Sequence, residues 1–270
     1  MPHVTQIILY PIKSCTGIFV ESAKLDVRGF SDDRCFMLVD LKGRFLTQRE
    51  HPGMSRIMLS RNVHDWSVQI EGQRTLNLPA SLPTDKERLV RIWKDQINIT
   101  VASASYNEWF SNAIGLQCEL VQMKAQHLRS IQSGRGRIDD TVSLADGSPV
   151  LLTSEASLFA LNQRLKDAVP MVRFRPNLVV SADVAFVEDR WRRIRVGEVE
   201  FEVGWGCTRC IVTTIDSKTA EKNPNGEPIK TLREFRSGPE GVMFGQNLIP
   251  RRLGTVRVGD LIEVLEEIEK

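Results

Sequence analysis

Short apolar runs separated by polar turns dominate the first half of the chain. Ile7-Ile8-Leu9 is one such run, and Cys35 to Val39 is long enough for a buried strand. Asp40-Leu41-Lys42-Gly43 then supplies a turn, and Phe45-Leu46-Thr47 returns. Ile57-Met58-Leu59, Trp66 to Ile70, Leu89 to Trp93 and Ile97 to Val101 continue the series, with Gly72 and Asp95 where hairpins reverse. One stretch changes period. Trp109, Phe110, Ala113 and Ile114 share a helical face, Ser105 to Glu108 has capping-box spacing, and Gly115 is a natural helix stop. Cys118 to Val121 resumes as a strand.

Residues 129–147 break the pattern. Ser-Gly-Arg-Gly-Arg at 133–137 is basic and rich in glycine, Asp139-Asp140 follows, and the stretch reads as a loop or an inter-domain crossing. Pro149 to Thr153 then predicts a short strand. Ser154-Glu155 opens a helix with Leu158, Leu161 and Leu165 on one face. Leu178 to Val180 is a strand, and Ile194–Val196 and Val199–Val203 flank a turn at Gly197-Glu198. The β-branched run Ile211 to Ile215 predicts a further strand, Thr231 to Phe235 a short helix, and Val256 to Val264 a β segment broken at Gly259-Asp260. Many short strands and few helices make the protein mainly β with some α, and barrel-rich.

Composition narrows the function classes. The chain has 270 residues, 41% of them hydrophobic, enough for one large core or two modest ones. Its net charge of +2 gives no global signal for nucleic acid. No apolar run is long enough to cross a membrane and the first residues carry no signal segment, so a cytoplasmic location is expected, with neither nucleic acid nor membrane as partner. Five cysteines, an odd number, fit free thiols in a reducing compartment better than a disulfide framework. Histidine is scarce and scattered (His3, His51, His64, His127), so zinc would need ligands far from the single Cys-x-x-Cys pair.

The strongest chemical signal is Gly206-Cys207-Thr208-Arg209-Cys210. A thiol beside a fixed positive charge favours its thiolate, the form that attacks and that binds soft metals. Lone cysteines are more often small buried hydrophobes, and Gly206 and Arg209 shift that balance. A thioredoxin-like dithiol opens a helix, whereas the run behind Cys210 favours a strand. Three weaker features accompany it. Pro176 holds the preceding Arg175 extended, beside Asn177. Tyr10-Pro11-Ile12-Lys13-Ser14-Cys15 delivers a lysine after an apolar strand, and Asp32-Asp33-Arg34 reads equally as a surface ion pair. Thr153-Ser154-Glu155 is explained as a helix cap, although a helix start also attracts anions. Taken together they would form a basic pocket around one thiol, suited to an anionic cofactor carrying phosphate and a soft metal.

The order of these motifs, with Leu-Leu-Thr-Ser-Glu-Ala-Ser-Leu at 151–158, Phe-Arg-Pro-Asn at 174–177, Cys-Thr-Arg-Cys-Ile-Val-Thr-Thr-Ile-Asp at 207–216 and Phe-Gly-Gln-Asn-Leu at 244–248, resembles the MOSC-domain proteins. The nearest branch is similar to the mitochondrial amidoxime reducing component and bacterial MOSC hydroxylamine reductases. The resemblance implies an N-terminal MOSC-associated β-barrel domain over 1–122 and a MOSC β-barrel domain over 123–270. It implies a molybdenum cofactor on molybdopterin, with Cys210 as the molybdenum ligand and catalytic residue. Lys13, Ser14, Arg34, Thr153, Ser154, Glu155, Arg175, Asn177, Thr208, Arg209 and Cys210 are the implied cofactor-binding set. Cys207 is not assigned to the metal. The implied reaction is two-electron reduction of a small N-hydroxylated compound (a hydroxylamine, amidoxime or N-hydroxylated base) with release of water, a detoxification chemistry. No four-cysteine cluster follows Ile262 to Lys270, so a separate flavin or iron–sulfur protein is expected to donate electrons. The acidic tail reads as a solvated face. A sulfur carrier or sulfurtransferase using a cysteine persulfide is the alternative within the same resemblance, and a non-catalytic cofactor carrier is a third.

Overall fold

A computed structural model of the chain describes residues 1–62, 65–131 and 134–268. His64, Ser133 at the start of the glycine-rich stretch, and the last two residues of the acidic tail lie outside the described residues. The architecture is mainly β, as the short-run pattern predicts. A nine-stranded sheet forms the backbone of the fold. Its path runs Ile262–Glu267, Trp191–Val196, Val199–Thr208, Gly241–Arg252, Val150–Ser154, Leu178–Val180, Val4–Leu9 and Ile18–Val20, with Ser237–Gly238 paired to Gly241–Arg252 off that path. A four-stranded sheet orders Phe36–Asp40, Cys118–Gln122, Asp95–Val101 and Glu87–Ile92, and two three-stranded sheets complete the set.

Chain order and spatial order differ where it matters. The first strand, Val4–Leu9, pairs antiparallel with Leu178–Val180, so Tyr10 and Lys13 are delivered beside residues far away in sequence. Val150–Ser154 and Leu178–Val180 are parallel neighbours, a pairing that needs a crossover, and the helix Glu155–Asn162 (α2, following α1 at Ala104–Ile114) provides it. Ser154 caps α2 by accepting from Ser157 N at 3.1 Å, and Leu158, Leu161 and Leu165 all pack into one cluster with Tyr10, Phe174 and Phe244. Phe174 and Phe244 stack with centroids 4.0 Å apart, seating the turn before Arg175 on the central strand Gly241–Arg252.

Three local expectations are corrected. The N-cap of α1 is Ser103, not Ser105; Ser105 lies inside the helix, its hydroxyl 3.1 Å from that of Ser103, so no capping box closes. Gly115 does end that helix, at φ +68°. Phe45 makes only an isolated bridge to Val39, and its amide bonds Arg91 O at 3.3 Å as the neighbouring Arg44 bridges Arg91. Ile211–Thr214 is one 3₁₀ turn rather than a strand. Thr213 N bonds Cys210 O at 3.1 Å, and the Thr213 and Thr214 hydroxyls bond the carbonyls of Cys210 and Ile211, so side chains close a turn that β-branching disfavours.

Candidate functional site

The sequence-distant motifs meet at a cavity of about 1510 Å³. Lys13, Ser14, Arg34, Arg175, Asn177, Thr208, Arg209 and Cys210 all line it, together with Cys207. Thr153, Ser154 and Glu155, the remaining residues of the implied binding set, are not among its lining residues. Thr153 is fully buried with its hydroxyl 3.2 Å from Met171 Sδ. The Ser154 hydroxyl is consumed by the α2 cap, by Ser157 Oγ at 2.7 Å and by the Glu188 carboxylate at 3.0 Å, and Glu155 faces solvent on the first turn.

The backbone is bent to aim these groups. Among the described residues seven non-glycines have positive φ, and four of them, Ser14 (68°), Arg34 (47°), Trp93 (55°) and Arg175 (53°), line the cavity. Each left-handed residue costs on the order of 1 kcal/mol or more, so the surrounding contacts must hold it. Arg175 was expected to be extended ahead of Pro176; instead it is the left-handed cap of the turn Met171–Phe174. Three contacts hold it there: Nη1 donates to Cys15 O at 2.8 Å, its carbonyl accepts from Arg34 Nη2 at 3.1 Å, and its guanidinium lies 4.2 Å from the Tyr10 ring centroid.

Arg34 is no surface ion pair. Its Nη1 donates to the buried Asp33 carboxylate at 2.6 Å and to Asn177 Oδ1 at 2.9 Å, and it covers Tyr10 at 4.5 Å. The aromatic ring thus contacts two guanidinium groups, a geometry that lets like charges approach through the negative ring faces. Burial raises the Tyr10 hydroxyl to about 12. Asn177 is a hub: Oδ1 also accepts from Leu151 N at 3.2 Å and Nδ2 donates to Ile8 O at 3.1 Å.

Lys13 is buried, which pulls its ammonium down to about 8 although Asp146 opposes the shift. Its Nζ donates to Leu144 O at 2.8 Å and is ion-paired with Asp146, whose side chain is half open to the cavity. Desolvation disfavours the Asp146 carboxylate, but Lys13 and then Arg49 outweigh it and hold the carboxyl well below the usual range. Trp93 Nε1 also donates to Asp146, at 3.1 Å.

The spacing pairs Arg209 with Cys210, but in the fold these charges are shared differently. Arg209 Nη1 donates to Cys207 Sγ at 2.9 Å and Nη2 to Phe174 O at 2.6 Å. The cation at Cys210 Sγ is Arg49, 3.6 Å away, which stacks on Trp93 at 4.6 Å. Arg49, Trp93, Asp146 and Arg129 were all missed. They sit in loops or at a strand end with no periodic signature, and only the flagging of 129–147 as an unusual basic stretch pointed near two of them.

Two buried nitrogens of these cations, Arg175 Nη2 and Arg209 Nε, have no hydrogen-bond partner among the described residues. Buried guanidinium groups are normally satisfied, so unfilled donors lining a basic cavity match an anionic ligand with several acceptor oxygens. The exposed thiol of Cys210 adds one soft donor to the same wall. This donor set fits a phosphorylated, sulfur-ligated metal cofactor.

The MOSC N-terminal beta barrel domain matches residues 1–117 and the MOSC domain matches residues 139–263. Mitochondrial amidoxime-reducing component 1 of Mus musculus is 31% identical, with 97% of this chain and 82% of that protein covered. Mitochondrial amidoxime reducing component 2 of Rattus norvegicus is 32% identical over 95% of this chain and 81% of that protein. The molybdenum cofactor sulfurase of Oryza sativa is 30% identical over 90% of this chain but over only 32% of that longer protein.

Proposed function

The chain belongs to the MOSC-domain family, and from that premise we propose that it is a molybdenum-cofactor-dependent reductase of small N-hydroxylated compounds. The observation that carries the proposal is the convergence of the Cys210 sulfur with Lys13, Arg34, Arg175 and Arg209 on one cavity. The names of its amidoxime-reducing relatives support the reaction class. The net reaction takes two electrons and two protons, breaks the N–O bond and releases water.

In this reading Lys13, Arg34, Arg175 and Arg209 bind the phosphate and pterin oxygens, and Asn177 fixes Arg34. Ser14 and Thr208 add hydroxyls at the wall, and Cys210 would ligate molybdenum through its thiolate sulfur. When bound, the cofactor supplies the two-electron redox chemistry. Arg49 holds positive charge beside that sulfur, and Asp146 offsets the excess of cations at the cavity floor. Electrons come from a separate flavin or iron–sulfur protein, and the cellular site is the cytoplasm, a reading supported by five free cysteines. No helix among the described residues is long and apolar enough to cross a membrane. The division into units at 1–122 and 123–270 belongs to the same proposal; the two separate family matches support it, while the first strand is shared across it.

The test is metal analysis of wild type, Cys210→Ala and Cys207→Ala made in a host that synthesises the cofactor. Reduction of an amidoxime with an artificial electron donor is measured alongside. Molybdenum and activity are expected in wild type, with molybdenum sharply reduced in Cys210→Ala. Equal molybdenum in wild type and Cys210→Ala would remove the ligand and the mechanism with it. A persulfide on Cys210 without N–O reduction would instead favour sulfur transfer, a reading supported by the sulfurase relatives.

A further inference from the structure

Ser143, Leu144 and Ala145 are buried, yet residues 143–146 belong to no helix or strand. Buried backbone outside regular structure must find hydrogen-bond partners elsewhere. Two cations supply them. Lys13 Nζ donates to Leu144 O at 2.8 Å. Arg129 Nη1 donates to Ser143 O at 3.1 Å and to Ala145 O at 2.6 Å, and its Nη2 donates to Asp146 O at 3.3 Å. All four carbonyls in the row are thereby taken, three of them by one guanidinium.

Arg129 is itself fixed. It is 6% exposed, and its Nε donates to the Asp95 carboxylate at 2.6 Å. Asp95 opens the strand Asp95–Val101 of the four-stranded sheet, so the planar fork ties 143–146 to that sheet. Val142 N bonds Arg129 O at 2.8 Å, and the Leu144 side chain is buried in one cluster with Met37, Val39 and Ile92. What this clamped segment holds in turn is Lys13. Leu144 O and the Asp146 carboxylate take two of the three N–H donors of its ammonium, leaving the third for the cavity that Lys13 lines.

We propose that Arg129 is a positioning residue, which clamps 143–146 so that Lys13 is held ready for an anionic oxygen in the cavity. This rests on the cofactor reading above, in which Lys13 meets phosphate and pterin oxygens. Arg129 acts through Lys13 and not as a ligand, because four of its five N–H groups are already spent on Asp95 and the three carbonyls.

The test is calorimetric titration of inorganic phosphate into the cofactor-free full chain, well below its Tm, so that a purely structural loss of stability leaves the affinity unmoved. Molybdenum content of protein from a cofactor-synthesising host is measured beside it. Arg129→Lys keeps the positive charge but cannot span three carbonyls. It is expected to weaken phosphate on the order of tenfold, the worth of one charge-assisted bond. Lys13→Met weakens phosphate by a similar factor, and Arg129→Lys adds little in the Lys13→Met background. Wild-type affinity in Arg129→Lys overturns the proposal. So does an equal loss in both backgrounds, which would make Arg129 an independent anion ligand, and so does a wild type that takes up no phosphate. If Arg129→Lys does not fold, Asp95→Ala carries the test. It removes a negative charge from the same wall, so charge alone would tighten phosphate, whereas a loosened Arg129 weakens it; tighter or unchanged binding overturns the proposal. Molybdenum missing from wild type counts against the reductase reading alone, since phosphate titration of the cofactor-free chain still reads the coupling of Arg129 to Lys13.

Discussion

Asn177→Ala tests whether the site's geometry is held by one buried amide. Asn177 is 1% exposed and makes three bonds to different parts of the chain: to Ile8 O on the first strand, to Leu151 N on the adjacent parallel strand, and to the Arg34 guanidinium. Truncation removes all three bonds: Ile8 O and Leu151 N lose this partner, and Arg34 keeps only Asp33 and the Arg175 carbonyl. Two neutral bonds at about 1 kcal/mol and one to a charged group at about 2 kcal/mol give a loss of roughly 4 kcal/mol. With an unfolding entropy near 2.1 cal/mol/K per residue, a chain of this length loses about 7 °C in Tm. The assay is urea unfolding followed by two probes, with calorimetric Tm and molybdenum content on the same samples. Asn177→Asp keeps the acceptor for Arg34 and Leu151 but turns a carboxylate oxygen toward Ile8 O, so it should fall between wild type and alanine. A loss under about 1 kcal/mol for Asn177→Ala would refute the hub, because no buried donor would then have been orphaned.

Three further outcomes follow from buried charges. Burial raises the Glu188 carboxyl although Ser157 and Ser154 donate to it, so stability is present below its ordinary 4.5 and is lost as pH rises through the folded value. Glu188→Gln should flatten that fall in urea midpoints measured across the range; parallel curves would exclude it. Lys13, ordinarily 10.5, is drawn down to about 8 by burial, so the folded chain binds fewer protons than the unfolded one between these values. Stability should therefore rise with pH over that window in wild type and not in Lys13→Met. Calorimetric binding of inorganic phosphate to wild type should weaken above about 8, and an identical pH dependence in Lys13→Met would count against Lys13 as an anion ligand.

The sequence by itself determined the strand content, the hairpin at Gly197-Glu198, the crossover helix with its Ser154 cap, and the Gly115 stop. These depend on neighbours within a few residues, where period-2 and period-3.6 patterns and turn chemistry act. From the cavity lining it picked out Lys13, Ser14, Arg34, Arg175, Asn177 and the Cys207–Cys210 segment, which are recognisable as ordered motifs. Tertiary structure alone decided how the charges are shared. Arg209 is spent on Cys207 and Phe174 while Arg49 reaches Cys210, and Ser154 is closed off by Glu188. Tertiary hydrogen bonds also folded Ile211–Thr214 into a turn against its β propensity, and held Arg175 left-handed against the constraint of Pro176. Propensities of a few tenths of a kcal/mol yield to a single buried hydrogen bond, and a partner 161 residues away leaves no trace in local pattern.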